Sequence, residues 1–352
     1  MVTSEENSYN TKLVQDQTYA GRNVLQLAIA LSDNPRTRPI IEGRIPVEGI
    51  RLVPTTCHPS EMFWRQLRYG DFDLSEMSLS TLSIATSLGN RDWVGLPVYT
   101  FRTFFHTQCI VTTASGIQMP SDLKGKRVGV PEFQQTAAIW ARGALEHEFG
   151  VKPSDMKWFM ERNADKSHGT STGFKAPPGV SLEQIPPTSS IGEMLVKGEL
   201  DACVHYITDQ NLVDRSRVDI SKEPGIKYLF PDRAAEAKRY YDKTGLFPIN
   251  HIMVMKRALY EKHPWVALNI YSAFVKAKEQ VRKEAQAWID INAQVGALDA
   301  DAQAALKRDV MPYGLKSSRK VLDTVTQYVH EQGLASRKVA LEEIFAPNTL
   351  DL

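Results

Sequence analysis

Residues 120–150 read PSDLKGKRVGVPEFQQTAAIWARGALEHEFG, and this stretch decides the fold class. Residues 120–127 form a connection punctuated by Pro and Gly, and 127–130 (RVGV) form a short apolar strand. Residues 134–149 read as a helix, with Gly150 as its C-cap. A strand that feeds a helix almost directly is the building unit of an α/β fold with parallel strands. The backbone N–H groups where that helix opens, at Gln134, Gln135 and Thr136, make a natural seat for a carboxylate.

The same alternation extends in both directions. Upstream, 24–31 and 50–53 read as strands on either side of the turn-rich SDNPRTRP (32–39). Residues 59–67 read as a helix with Ser60 as a candidate cap. Residues 72–78 form a strand that runs into a polar turn, and strands at 93–97 and 109–113 complete the first half. Downstream, 163–187 is rich in Gly, Pro, Ser and Thr and reads as a long loop, the kind that serves as a lid. GELDA (198–202) leads into a strand at 203–207, and a further strand follows at 252–255. The last third is helical. Ile270, Phe274, Ala277 and Val281 share one helix face, as do Leu322, Val325 and Val329, and Gly333 stops the second of these helices.

At 352 residues the chain is longer than one hydrophobic core usually serves, so two lobes or domains are expected. Its 42 Lys+Arg nearly cancel 41 Asp+Glu, which removes bulk charge as an argument for nucleic acid or an anionic membrane. Cys57, Cys109 and Cys203 form no CxxC pair and read as reduced thiols of a reducing compartment. The first 23 residues are polar and lack a basic n-region followed by an apolar stretch, and no run of 18 apolar residues occurs. A cytoplasmic protein without membrane or nucleic-acid partners is therefore expected. No P-loop, GxGxxG or GxSxG motif supports nucleotide chemistry or serine hydrolysis, and no HxH or HExxH spacing supports a metal.

SDLKGKRVGV (121–130) and GELDA (198–202) resemble the second lobe of type II periplasmic-binding-protein folds. More specific stretches resemble an enzyme branch of that fold, the 4,5-dihydroxyphthalate decarboxylase family. They are RTRP (36–39), DLSEMSLS (73–80), the Arg102/Phe104/His106 cluster, TAA (136–138), GLFPINH (245–251), and PYG (312–314) with Arg319. The likeness runs over nearly the whole chain from about Val24. It implies an α/β, two-lobed fold with a ligand cleft between lobes and C-terminal helices. The expected division is a flexible N-terminal segment (1–23), lobe 1 (24–115), lobe 2 (116–248), and a return to lobe 1 with C-terminal helices (249–352). Departures fall at Phe105, Asn250 and Ser318, where the family usually has Arg, Met and Asn. An Arg missing from a dicarboxylate site would weaken the hold on one carboxylate, so the exact substrate stays open.

The resemblance implies loss of CO2 from a hydroxylated phthalate without a cofactor or metal, by a homo-oligomer. Such a reaction needs a carboxylate hold, an acid for the ring carbon, and stabilisation of charge that shifts through a phenol oxygen. Histidine suits the acid and arginine the hold. His106 and His251 are expected as proton donors, unranked. Glu76 would orient a histidine or accept a phenol proton. Arg36, Arg38 and Arg102 are expected carboxylate ligands, with Ser78, Ser80, Gln134, Gln135, Thr136, Asn250 and His205 as further substrate contacts. Structural readings stand beside these: His106 as a buried histidine with a backbone partner, Arg36 and Arg38 as surface charge, and His205 as a strand residue. A solute-binding protein that delivers an aromatic carboxylate to a transporter is the alternative function. The polar N-terminus and the two histidines favour an enzyme.

Overall fold

The computed structural model describes residues 13–15 and 23–352. In chain order its strands begin with β1 (Leu13–Gln15), β2 (Asn23–Leu31), β3 (Ile50–Thr56), β4 (Leu74–Ser78), β5 (Trp93–Arg102) and β6 (Ile110–Thr112). They continue with β7 (Arg127–Val130), β8 (Lys157–Met160), β9 (Ser181–Gln184), β10 (Ala202–Cys203), β11 (Ile226–Tyr228) and β12 (Ile249–Lys256). Two six-stranded sheets result. One has the order β1-β2-β4-β12-β5, with β3 paired to β2; the other has the order β11-β6-β10-β7-β8-β9. The second sheet is drawn wholly from one continuous part of the chain, while β12 returns to the first. The chain thus crosses between sheets twice, first after β5 and again through the helix Arg233–Thr244 ahead of β12.

Both sheets carry the strand-to-helix unit read in residues 120–150. β7 lies parallel to β8 and β10, and leads to the helix Thr136–Phe149, which ends at Gly150 in the left-handed conformation that glycine adopts without strain. β4 lies parallel to β2 and is buried at every position. It runs without a turn into the helix Leu79–Ser87, with Ser78 as N-cap residue. The C-terminal helix Leu315–Glu331 buries Leu322, Val325 and Val329, the face marked by their spacing. Its Tyr328 lies so close to Gly143 of the helix Thr136–Phe149 that an added Cβ would sit 2.2 Å from the ring. Glycine there permits the close approach of the two helices. Ile270, Phe274 and Ala277 are likewise buried in the helix Trp265–Gln294.

The structure corrects several readings. The strand expected at 109–113 as part of the first half is β6, and it pairs with β10 and β11 in the second sheet. Its strand neighbours lie a hundred residues downstream, so local pattern could not place it. The loop expected at 163–187 contains the helix His168–Thr172 and the edge strand β9. Polar, mostly exposed positions disguised that strand, because an edge strand needs little apolar surface. The strand read at 203–207 is limited to Ala202–Cys203. The helix after β3 is capped by His58, whose side chain accepts the Ser60 N–H, rather than by Ser60 itself. Of the segment expected to be flexible (1–23), Leu13–Gln15 form β1 and Asn23 opens β2, and the rest lies outside the described residues.

Candidate active site

A cleft of about 710 Å³ opens where the strands of both sheets end. From the first sheet it takes Ser32 after β2, His58 after β3, Ser78 at the end of β4, Phe101 near the end of β5, and Asn250 and His251 on β12. From the second it takes Gln135 and Thr136 after β7, Arg162 after β8, and His205 after β10. Carboxyl ends of parallel strands are where open α/β sheets place ligands, because the helices that follow aim their N-termini there.

His251 is held by its strand neighbour. β12 and β4 are antiparallel, with His251 opposite Ser78 and Met253 opposite Glu76. Alternation then puts His251 and Glu76 on one face as diagonal neighbours. The imidazole Nδ1 lies 3.2 Å from Glu76 Oε2, and Nε2 lies 2.9 Å from the Asn250 amide nitrogen. The rings of Phe63 and Phe101 flank it, with centroids 4.8 and 5.3 Å away. Glu76 is fully buried and also accepts from Ser32 N–H (2.7 Å), Ser32 Oγ (2.6 Å) and Thr100 Oγ1 (2.7 Å). Burial alone would raise its carboxyl, but the bonds from His251, Ser32 and Thr100 outweigh it and hold the group below the usual carboxylate range. The ionised Glu76 therefore accepts Nδ1–H, and Nε2 accepts from the Asn250 amide where both residues border the cleft.

Two helix N-termini meet beside this pair. Ser78 Oγ lies 2.8 Å from Thr136 Oγ1, Ser80 N–H donates to Thr136 Oγ1 at 2.9 Å, and Ser80 Oγ donates to the Gln134 carbonyl at 2.7 Å. These bonds join the helices Leu79–Ser87 and Thr136–Phe149 across the two sheets. Gln135 lines the cleft there, and its buried Nε2 has no partner. A buried donor of this kind next to positive helix ends is suited to a carboxylate oxygen.

The remaining expected residues divide sharply. Ser78, Gln135, Thr136, His205, Asn250 and His251 border the cleft, and Glu76 stands directly behind His251. Ser80 and Gln134 lie beneath the surface, Ser80 in the helix junction and Gln134 accepting from Thr172 Oγ1 at 3.0 Å. His106 is not at the cleft. The first crossing tucks it, 1% exposed, between Tyr240 and Phe230, with Nε2 3.0 Å from Glu236 Oε1. The expected arginines are also absent from the cleft lining, and each is engaged elsewhere. Arg36 donates to the Thr100 carbonyl, and Arg38 pairs with Asp33 at the surface. Arg102 donates to the carbonyls of Phe247 and Pro312 and to Ser318 Oγ.

Sequence reading missed the floor of the cleft. Arg162 is buried and paired with Asp214 at 2.7 and 3.1 Å, donates to Ser60 Oγ at 2.7 Å, and meets His168 Nε2 at 3.3 Å. Burial opposes ionisation of Asp214, yet Arg162 overrides it and brings the carboxyl to about 2. Burial, with Arg162 beside it, drives the His168 imidazole far below its usual range. The signal was available in part: Arg162 follows β8 closely, at a strand carboxyl end like the others. Among the described residues no group of three or more His, Cys, Asp or Glu is placed to hold a metal ion.

Comparison with known proteins fits this geometry. A 4,5-dihydroxyphthalate decarboxylase of Comamonas testosteroni is 35% identical over 334 residues, covering 93% of this chain and 98% of the relative. The chain belongs to the 4,5-dihydroxyphthalate decarboxylase family. A second member, from Pseudomonas putida, is 33% identical over 62% of this chain and 82% of its own length. The family model described as NMT1/THI5 like matches residues 81–174, which include the start of the helix Thr136–Phe149 but begin just past that of the helix Leu79–Ser87. Among solved structures, the alkanesulfonate-binding protein SsuA of Xanthomonas axonopodis pv. citri superposes with a TM-score of 0.52 at 14% identity, over 92% of this chain and 96% of that one. That likeness is one of fold: the two-lobed periplasmic-binding-protein architecture expected from 121–130 and 198–202.

Proposed function

We propose that this chain is a cofactor-independent carboxy-lyase that releases CO2 from a hydroxylated aromatic carboxylate, 4,5-dihydroxyphthalate or a close analogue, to give protocatechuate or its counterpart. The observation that carries this reading is the His251–Glu76 pair, opening into a cleft beside two converging helix N-termini. A substrate carboxylate rests on the unpartnered Gln135 amide Nε2 beside the helix start at Thr136. With the Asn250 amide displaced from Nε2 by the substrate, His251 in its protonated form, paired with Glu76 through Nδ1, gives its Nε2 proton to the ring carbon that bears the leaving carboxylate. The ring hydroxyl para to that carbon supplies electron density to the protonated ring. The bond to the carboxylate then breaks, its electron pair restores aromaticity, and CO2 departs. His251 regains a proton from water, so each turnover consumes one proton. Phe63 and Phe101 supply flat apolar walls for the ring.

The same reading takes the protein as a cytoplasmic homo-oligomer of aromatic catabolism. Its three unpaired cysteines suit a reducing compartment. Among the described residues no helix is long and apolar enough to cross a membrane. Trp288, Ile291 and Leu306 expose apolar surface on the helices Trp265–Gln294 and Ala300–Lys307, which suits contact with a second copy. The test is incubation of the purified chain with 4,5-dihydroxyphthalate, following CO2 and protocatechuate with and without a chelator. CO2 release that survives chelation is expected. Tight binding without CO2 at any pH would overturn the enzyme reading, and activity lost to the chelator would overturn the cofactor-free step.

A further inference from the structure

Two histidines that border the cleft from different sheets are given opposite hydrogen-bonding roles by the chain around them. His58, in the first lobe, caps the helix Pro59–Tyr69, and its Nδ1 accepts the Ser60 N–H at 3.2 Å. A ring nitrogen that accepts carries no proton, so the neutral imidazole bears its hydrogen on Nε2. His205, in the second lobe, has Nδ1 3.3 Å from Gln108 Oε1, while the amide nitrogen of Gln108 donates to Thr103 Oγ1 at 3.4 Å. Nδ1 of His205 therefore donates, and its Nε2 is left as a bare acceptor. Both rings border the cleft. Burial keeps both neutral near pH 7: it lowers His58 and brings His205 down to about 4. His205 is also the one non-glycine residue with positive φ (61°) among the described residues. A side chain held in that conformation marks a position where the fold gives up backbone comfort for placement.

We propose that His58 and His205 together read a vicinal pair of hydroxyls on the substrate ring, His58 donating from one lobe and His205 accepting from the other. The proposal rests on the aromatic reading above. In a vicinal diphenol one hydroxyl donates to its neighbour, which leaves one free O–H and one free oxygen lone pair facing outward. A donor on one wall and an acceptor on the other match that pattern. A ring without hydroxyls leaves both imidazoles unpaired, and a ring with one hydroxyl leaves one of them so. Buried groups left unpaired weaken binding, so selection follows from what the site loses with the wrong ligand.

The test compares binding of protocatechuate and benzoate to the full chain by titration calorimetry, in wild type, His58→Asn and His205→Gly. Asparagine keeps a cap acceptor for the helix at Pro59 but removes the Nε2–H. Glycine tolerates the positive φ at 205. Wild type is expected to prefer protocatechuate by about 100-fold, roughly tenfold per hydroxyl. Each variant should lose about tenfold of that preference, with benzoate affinity held within about threefold. An absent preference in wild type, a preference unchanged in both variants, or an equal loss for both ligands would overturn the proposal. The ratio is read from binding alone. Failure of wild type to release CO2 would therefore overturn the decarboxylase reading without being mistaken for failure of this one.

Discussion

Two histidine–carboxylate pairs stand at the junction of the lobes, and they differ in what surrounds them. His251 Nδ1 lies 3.2 Å from Glu76 and His106 Nε2 lies 3.0 Å from Glu236. The first pair is strand on strand, and its other ring nitrogen meets the Asn250 amide at 2.9 Å on the wall of the 710 Å³ cleft. The second ties the first crossing to the helix of the second, and its imidazole is enclosed by Tyr240 and Phe230. Burial raises the Glu236 carboxyl, but Arg239 and His106 outweigh it and pull it to about 2. In the proposed reading the same pairing serves a proton donor in one place and a structural tie in the other. What separates the two pairs is access to the cleft, not the pairing itself.

The sharpest way to break this comparison is turnover. His251→Gln is expected to lower CO2 release from 4,5-dihydroxyphthalate by about 100-fold or more, because amide cannot deliver a proton. Glu76→Gln should lower it by about 10- to 100-fold, since the imidazolium loses its counter-charge while the ring keeps a hydrogen-bond partner. Both effects are read from initial rates at saturating substrate.

Acid should act on the cleft first through His205. His205 titrates near 4 when folded and near about 6.5 when unfolded, so the unfolded chain takes up the proton first. Its contribution to stability is complete above about pH 6.5 and is lost as pH falls toward about 4. Glu76, held below its usual range, adds stability above about pH 4.3 that fades as pH drops through its lowered value. Denaturant midpoints should therefore fall with acid from about pH 6.5 downward, and His205→Gly should flatten the upper part of that fall. A midpoint independent of pH from 7 to about 4 would contradict the neutral, buried state of the ring. The smallest effect on turnover is expected for His106→Gln: rates within about threefold of wild type, with a lower unfolding temperature from the weakened tie to Glu236. A large rate loss there would merge the two pairs into one function.

Much of the fold was legible because local pattern carried it. The unit at 120–150 and the apolar faces of Ile270–Ala277 and Leu322–Val329 were read from spacing, and each is present in the folded chain. β6 was misplaced because its partners are remote in sequence. At the site, His251, His205 and the Gln135–Thr136 helix start were found because they adjoin strand ends. Arg162 was missed because its setting depends on Asp214, 52 residues away, and Ser60, 102 residues away. Arg38 and Arg102 failed as ligands for the converse reason. Their charges are answered by Asp33 and by the carbonyls of Phe247 and Pro312, which sequence does not reveal as neighbours.

The central claim, that the ring lies against His251 and not His106, is tested most directly by a crystal structure of the chain with protocatechuate bound. The account predicts product in the cleft between the lobes, with the carbon that lost its carboxylate facing His251 Nε2, its remaining carboxylate near Gln135, and His106 still on Glu236. Product density beside His106, with the imidazole released from Glu236 and the cleft vacant, would contradict it.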